Sequence, residues 1–198
     1  MRKILFPSVL YSTELEISDE YNSKLKEFIL ENTPESPVPF KVDSTFWSRN
    51  LVDEPILSEF KSKIEREASQ YAGRSVYVDT MWVSITRYGC FHSLHSHIPA
   101  PVCGVYYVNI PRHPEGLFLT FHSDKQCLGG AVWDEPLENK KLLLFEGWVM
   151  HGYAPNPSNE LKITIAFNFQ YCSEPLQSER RPDSPGRPPR PRPVLELE

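Results

Sequence analysis

The sequence lacks a positive charge excess, a long apolar run, a paired-cysteine motif and any internal repeat, and each lack narrows what the chain can be. With a formal net charge of -5 it offers no general basic surface to neutralise a phosphate backbone, so nucleic acid is not an expected partner. No stretch approaches the roughly 18–20 apolar residues that span a bilayer, so a membrane is not expected either. The opening MRKILFPSVLYSTELE has two basic residues and an apolar run, but Pro7 breaks that run and acidic residues follow without a small-residue cleavage site. It reads as a first strand, and a soluble, cytoplasmic protein is expected. The four cysteines, Cys90, Cys103, Cys127 and Cys172, form no CxxC pair. Zinc-ribbon and thioredoxin chemistry are therefore unsupported, and reduced thiols are expected. No period of solenoid type is present, and nothing in the sequence bears on oligomeric state.

What is present suits one domain: 198 residues, 40% hydrophobic and 12% aromatic, can build a packed core. Residues 18–32 place Tyr21, Leu25, Phe28 and Ile29 at helical spacing behind Ser18 as a cap. A Pro-rich connection follows, and residues 51–73 repeat the pattern through Ile56, Leu57, Phe60 and Ile64 before Gly73. From Val76 the texture changes to short apolar or alternating runs, VYVDTMWVSITRY, VCGVYYVNI, LFLTFH, KLLLFEG and LKITIAFNFQY, separated by turn residues. Two helices ahead of a strand-rich body predict an α+β fold, a jelly roll (double-stranded β-helix) supported by two N-terminal helices, over residues 1–173. Residues 174–198 are rich in Pro and Arg and poor in large apolar side chains. They cannot bury enough surface to offset chain entropy, and read as a disordered tail, partly of recombinant origin, or as a PxxP-type ligand.

The chemistry concentrates in RYGCFHSLHSHIPAPVCGVYYVN, with histidines at 92, 95 and 97. Residues i and i+2 of a strand share a face, so His95 and His97 can chelate one ion while His92 stands at the other parity. A third ligand must come from elsewhere, and His151 closes the strand-like run LLLFEGWVMH. Neutral imidazoles suit iron, zinc, copper and nickel, and three of them leave positions open for catalysis. Asp124 is an alternative acidic ligand if the loop HSDKQ folds inward. His92, His113 and His122 otherwise read as exposed or hydrogen-bonded residues, and Phe145 and Trp148 as core.

The order YG, HSH, GVYYVNIP, GLFLTF and LLLFEGWVMHGYAPNPSNELKITIAFN resembles the 2-oxoglutarate and iron(II)-dependent oxygenases over residues 76–170, with a family-like opening at FPSVLYSTEL. Within them it is similar to a branch with HxH where most members carry HxD. The resemblance implies Fe(II), 2-oxoglutarate and O2 as cofactors and cosubstrates, with the metal on His95, His97 and His151. A basic residue about ten positions after the distal histidine binds the far carboxylate of 2-oxoglutarate in that family; here it is Lys162, which supplies a point charge in place of the arginine fork. Tyr107 matches a tyrosine that shares this carboxylate, and Tyr88 is a second candidate. Strand parity groups Trp82, Ser84, Thr86 and Tyr88 on one face, which would bring Trp82 and Thr86 to a small-molecule or amino-acid-like substrate, with hydroxylation as the expected outcome. Tyr107 can equally be a strand aromatic, and Lys162 a solvent-exposed strand residue. Two other classes stay open: a three-histidine cupin-like metalloenzyme without 2-oxoglutarate, and a non-enzymatic β-sandwich binding module.

Overall fold

Ser18 starts the first helix, α1 (Asp19–Asn32): its hydroxyl accepts from the Tyr21 N–H, with Asp19 and Glu20 in the positive first turn. The second, α2 (Ser58–Ala72), stops where Gly73 turns left-handed at φ +65°. Ile56 and Leu57, expected in this helix, form a separate 3-10 turn, Pro55–Leu57. Pro55 at its first position supplies a preset φ and lacks the N–H that a longer α-helix would leave unsatisfied.

The computed structural model describes residues 8–122 and 132–173. Besides the helices it contains β1 (Tyr11–Glu14), β2 (Asp43–Ser44), β3 (Val76–Thr86), β4 (His92–His95), β5 (Val102–Asn109), β6 (Phe118–His122), β7 (Val132–Pro136), β8 (Lys141–Glu146), β9 (Met150–Tyr153) and β10 (Lys162–Tyr171). Asp124, Cys127, residues 1–7 and the Pro/Arg-rich tail lie outside the described residues. The strands β2 and β7 were not legible in the sequence: one is two residues long, and the other, VWDEP, buries only Glu135. No described helix is long and apolar enough to cross a membrane.

The strands form a six-stranded sheet, β1-β8-β5-β10-β3-β2, and a four-stranded sheet, β4-β9-β6-β7. All named pairings are antiparallel, and together the sheets make the jelly roll expected from the sequence. Alternation sorts the large sheet's two faces. Met81, Val83, Ile85, Tyr106, Ile163, Ile165, Phe167 and Phe169 pack under the helices against Leu25, Ile29, Phe60 and Ile64. Cys103, Val105, Tyr107, Leu143 and Phe145 face the other way and meet Leu119, Phe121, Val149 and Tyr153 of the small sheet and its turn. Gly104 sits where a Cβ would lie 2.5 Å from the Leu143 carbonyl oxygen and 2.6 Å from the Phe167 ring, so the helix-side core closes only over glycine. By the same alternation, Trp82, Ser84 and Thr86 of β3 and Lys162, Thr164, Ala166 and Asn168 of β10 point into the roll.

Candidate metal centre

The ligand atoms of His95, His97 and His151 lie within 4.8 Å of one another. Ring centroids are 4.5 Å apart for His95 and His151, 5.0 Å for His97 and His151, and 5.1 Å for His95 and His97. Two strands and a loop converge here. β4 pairs with β9 so that His95 faces His151, but β4 ends at His95. His97 therefore stands beyond the strand, and the loop is pinned by its own N–H donating to the Gly147 carbonyl at 2.6 Å. A Cβ on Gly147 would sit 2.1 Å from the Ala100 carbonyl oxygen and 3.3 Å from that of His97, so only glycine lets the two turns meet.

Each imidazole has one nitrogen already engaged. The Nδ1 of His95 lies 2.7 Å from the Ser93 carbonyl, that of His151 2.8 Å from the Val149 carbonyl, and that of His97 2.7 Å from the Asn168 side-chain oxygen. These partners only accept, so each Nδ1 carries the proton and each Nε2 keeps a free lone pair. Asn168 is itself oriented by donating to the Thr80 hydroxyl at 3.0 Å. Burial lowers the His97 pKa to about 4 and the His151 pKa to about 3, so both rings are neutral at pH 7. Three preoriented imidazoles fit a first-row divalent cation, with its remaining positions open. Phe145 packs edge-on against the His151 ring at 4.6 Å and keeps that side of the centre dry.

Behind the triad is a second unusual group. Lys162 is 1% exposed, and among the described residues its Nζ has no hydrogen-bond partner. It lies 3.1 Å above the ring of Tyr153, whose hydroxyl meets that of Tyr107 at 2.7 Å in full burial. Thr86, opposite Lys162 in the β10–β3 register, also buries an unpartnered Oγ1. Two orphaned polar atoms side by side are costly unless a polar ligand fills the space between them. Burial drives the Lys162 amine well below its ordinary pKa, whereas the Tyr107 and Tyr153 phenols are pushed above theirs and stay protonated donors.

The remaining sequence candidates fall in different places. Trp82 stacks on His97 at 5.6 Å and 17°, on the wall of a cavity of about 1070 Å³ that opens over His95 and His97. Thr86 does not border that cavity; it belongs to the Lys162 corner. Tyr88 is 63% exposed, because β3 ends at Thr86 and the strand parity that grouped them does not extend to position 88. Trp148 is exposed at the turn between β8 and β9, not in the core, whereas Phe145 is buried. His113 is exposed and His122 half-buried, both apart from the triad.

Three further residues border the triad or the Lys162 corner: Tyr153 and Asn168, which no motif in the sequence singles out, and His92, which strand parity places elsewhere. Tyr153 follows the distal histidine by two positions on the same strand face, a signal that was readable. Asn168 shares the inward parity of Lys162 on β10. His92 lies beside the cluster, with its ring 6.2 Å from that of His95 and 5.7 Å from that of Tyr153. A register shift between His92 and His95 cancels the expected difference in parity.

Comparisons with known proteins bear on the family match and the fold. Residues 80–168 match the family model described as "Putative 2OG-Fe(II) oxygenase". A solved α-ketoglutarate-dependent epimerase, SnoN from nogalamycin biosynthesis, is similar at TM-score 0.67 and 10% identity, covering 82% of this chain and 77% of its own. HygX from Streptomyces hygroscopicus, with nickel, 2-oxoglutarate and hygromycin B bound, has TM-score 0.63 and 9% identity over 82% of each chain. A prolyl hydroxylase from Trichoplax adhaerens, in complex with a hypoxia inducible factor peptide fragment, has TM-score 0.60 and 13% identity over 81% of this chain and 82% of its own. No curated protein matches the sequence.

Proposed function

We propose, for a chain whose residues 80–168 match the model of a putative 2OG-Fe(II) oxygenase family, that His95, His97 and His151 hold the iron and Lys162 anchors the 2-oxoglutarate that it consumes. The observation that carries this reading is the buried, unpartnered Lys162 amine and the unpartnered Thr86 hydroxyl, on residues directly opposite each other in the β10–β3 register. A carboxylate between them would stabilise the amine in its protonated form, accept from both and remove two unsatisfied groups at once. Tyr107 and Tyr153, linked hydroxyl to hydroxyl, border the same corner and leave one phenolic proton to donate. This departs from the sequence reading in giving Thr86 to the cosubstrate rather than to the substrate. A metalloenzyme without 2-oxoglutarate would leave Lys162 buried with nothing to bind.

Bound there, iron and 2-oxoglutarate would supply with O2 the oxidising power for inserting one oxygen atom into the substrate, the other going to succinate with release of carbon dioxide. The protein's part is arrangement. Asn168, Ser93 and Val149 fix which imidazole nitrogen faces the metal. Phe145 and Phe121 exclude water from the His151 side, and Trp82 forms the wall along which a substrate reaches the open face. Hydroxylation of a small molecule is the reaction assigned, in a cytoplasmic setting that keeps Cys90, Cys103 and Cys172 as the free thiols they are here. The test is turnover of 2-oxoglutarate to succinate by the Fe(II)-loaded chain. Lys162→Ala should raise KM for 2-oxoglutarate by at least about 100-fold, the loss of a charge-assisted bond of about 3 kcal/mol. An unchanged KM, or no succinate from the wild-type chain, would remove the assignment.

A further inference from the structure

We infer that the substrate is an uncharged molecule built on a flat, largely apolar ring framework, held by aromatic side chains of residues 34–48 and Phe91; this rests on the oxygenase reading above. The cavity over His95 and His97, at about 1070 Å³, lies at the upper end of what ligand-sized sites occupy. One wall is the segment that follows α1, and it is built into the fold. β2 pairs with β3, Lys41 bridges to Phe91, the Asp43 carboxylate accepts from the Arg87 guanidinium and the Ser36 N–H, each at 2.8 Å, and the Thr45 hydroxyl oxygen accepts from the Val83 N–H.

On this wall the rings form a chain that leads to the metal centre. Trp47 meets Phe46 edge-on at 4.6 Å, Phe46 meets Trp82 at 4.9 Å, and Trp82 stacks on His97. The large apolar side chains bordering the cavity are uncovered: Trp47 is 80% exposed and Phe40 63%, with Phe46, Phe91 and Ile98 also open. Apolar groups clustered this way at the mouth of one cavity mark a binding surface rather than ordinary scatter. Phe40 adds a backbone argument. It is held at φ 60°, a conformation that aromatic residues rarely adopt, with its ring against Gly89, where a Cβ would come within 3.1 Å.

The charge distribution selects the ligand's class. Among the described residues, the only Asp, Glu, Lys or Arg side chains bordering the cavity are Glu35, Lys41 and Asp79, all exposed at its rim, and its inner wall carries Ser44, Thr80, Ser84 and Asn168. A phosphate or a free amino acid would leave its charges unpaired inside, whereas a neutral ring system with a few hydroxyl or carbonyl oxygens would be matched. The amino-acid-like substrate expected from the sequence is thereby set aside.

Flavone, a neutral flat probe, tests this with the full chain, by ligand-observed NMR titration against its sulfonate and L-phenylalanine. Flavone should bind, and Mn(II) at the histidine triad should broaden its signals. Trp47→Ala and Phe40→Ala should each weaken it about tenfold or more, a loss within reach of one aromatic contact. Both variants should keep the wild-type unfolding midpoint and Mn(II) affinity, and the charged probes should bind at least about tenfold more weakly. Equal or tighter binding of the charged probes, or a flavone affinity indifferent to both substitutions, overturns the inference. Mn(II) and 2-oxoglutarate binding without flavone binding sinks the substrate class alone. Flavone binding that depends on Trp47 in a chain that takes up no metal supports the aromatic clamp and sinks the oxygenase reading.

Discussion

Replacing Lys162 by Met keeps most of the buried stem and removes the amine. Three terms decide the outcome for the free protein. An unsatisfied buried polar group costs about 1–3 kcal/mol. Against it stands the contact of Nζ with the Tyr153 ring at 3.1 Å, a full cation–π interaction only if the amine is charged. Burial pushes the amine towards its neutral form, so that contact shrinks to a weak N–H···π bond of about 0.5 kcal/mol, and a thioether near the ring replaces much of it. The variant should therefore be more stable than the wild type by about 1–2 kcal/mol, or roughly 2–8 °C in Tm for a chain of this size. With metal present throughout and 2-oxoglutarate at about 100 times the wild-type Kd, the wild type gains about 2.7 kcal/mol from the dicarboxylate and the variant about 0.4 kcal/mol or less, so the order of stability closes or inverts.

The pH dependence supplies an independent sign. Because the folded-state pKa of Lys162 is lowered, the unfolded chain binds the extra proton up to about pH 10.5. Wild-type stability should rise relative to the variant as pH climbs towards that value. Thermal and urea unfolding, with and without 2-oxoglutarate, measures both effects. A variant that is less stable when free, or that 2-oxoglutarate stabilises as strongly as the wild type, would refute the reasoning.

The other expectations concern the metal ligands and their supports. His151→Ala should abolish stoichiometric Fe(II) binding, measured by metal analysis of protein purified without a histidine tag. Asn168→Ala frees the Nδ1 of His97 and should cost about 10–100-fold in metal affinity with little change in fold, checked by competition with a chelator. Gly147→Ala drives a methyl into the Ala100 carbonyl and should lower stability by about 1–3 kcal/mol while displacing the His97 loop, seen as a joint loss of urea midpoint and metal affinity. In the metal-free chain, burial holds the pKa values of His97 and His151 at about 4 and about 3, below the unfolded value of about 6.5. Unfolding then takes up protons as pH falls from about 6.5 towards 4, so stability should drop by about 1.4 kcal/mol per pH unit for each proton. A urea midpoint unchanged between pH 7 and 5 would contradict this.

Much of the architecture was readable because period and punctuation agree. The long runs at 102–109, 141–146 and 162–171 emerged as strands, and Ser18 and Gly73 bound the helices. What was hidden was set by pairing between distant segments. His92 was misjudged because a register shift against β9 is invisible in β4 itself. Tyr88 was grouped with Trp82 by a parity that the chain abandons at Thr86. Phe46 and Trp47 follow a Pro-rich stretch that reads only as a connection, yet two residues of it pair with β3 and set a wall of the cavity. Lys162 shows the opposite pattern: its place in the order of residues suggested the proposed role, and its burial without a partner among the described residues sets it apart from a solvent-facing strand residue.

The all-imidazole donor set has an electrostatic consequence. Three uncharged ligands return no negative charge to a divalent ion, so its full +2 persists inside a poorly hydrated roll until an anion arrives. A dianion such as 2-oxoglutarate is then counter-ion as well as reactant. Linkage requires that each tighten the other by the same factor. Protein stripped of the dicarboxylate should surrender its iron to a weak chelator, and protein supplied with it should not.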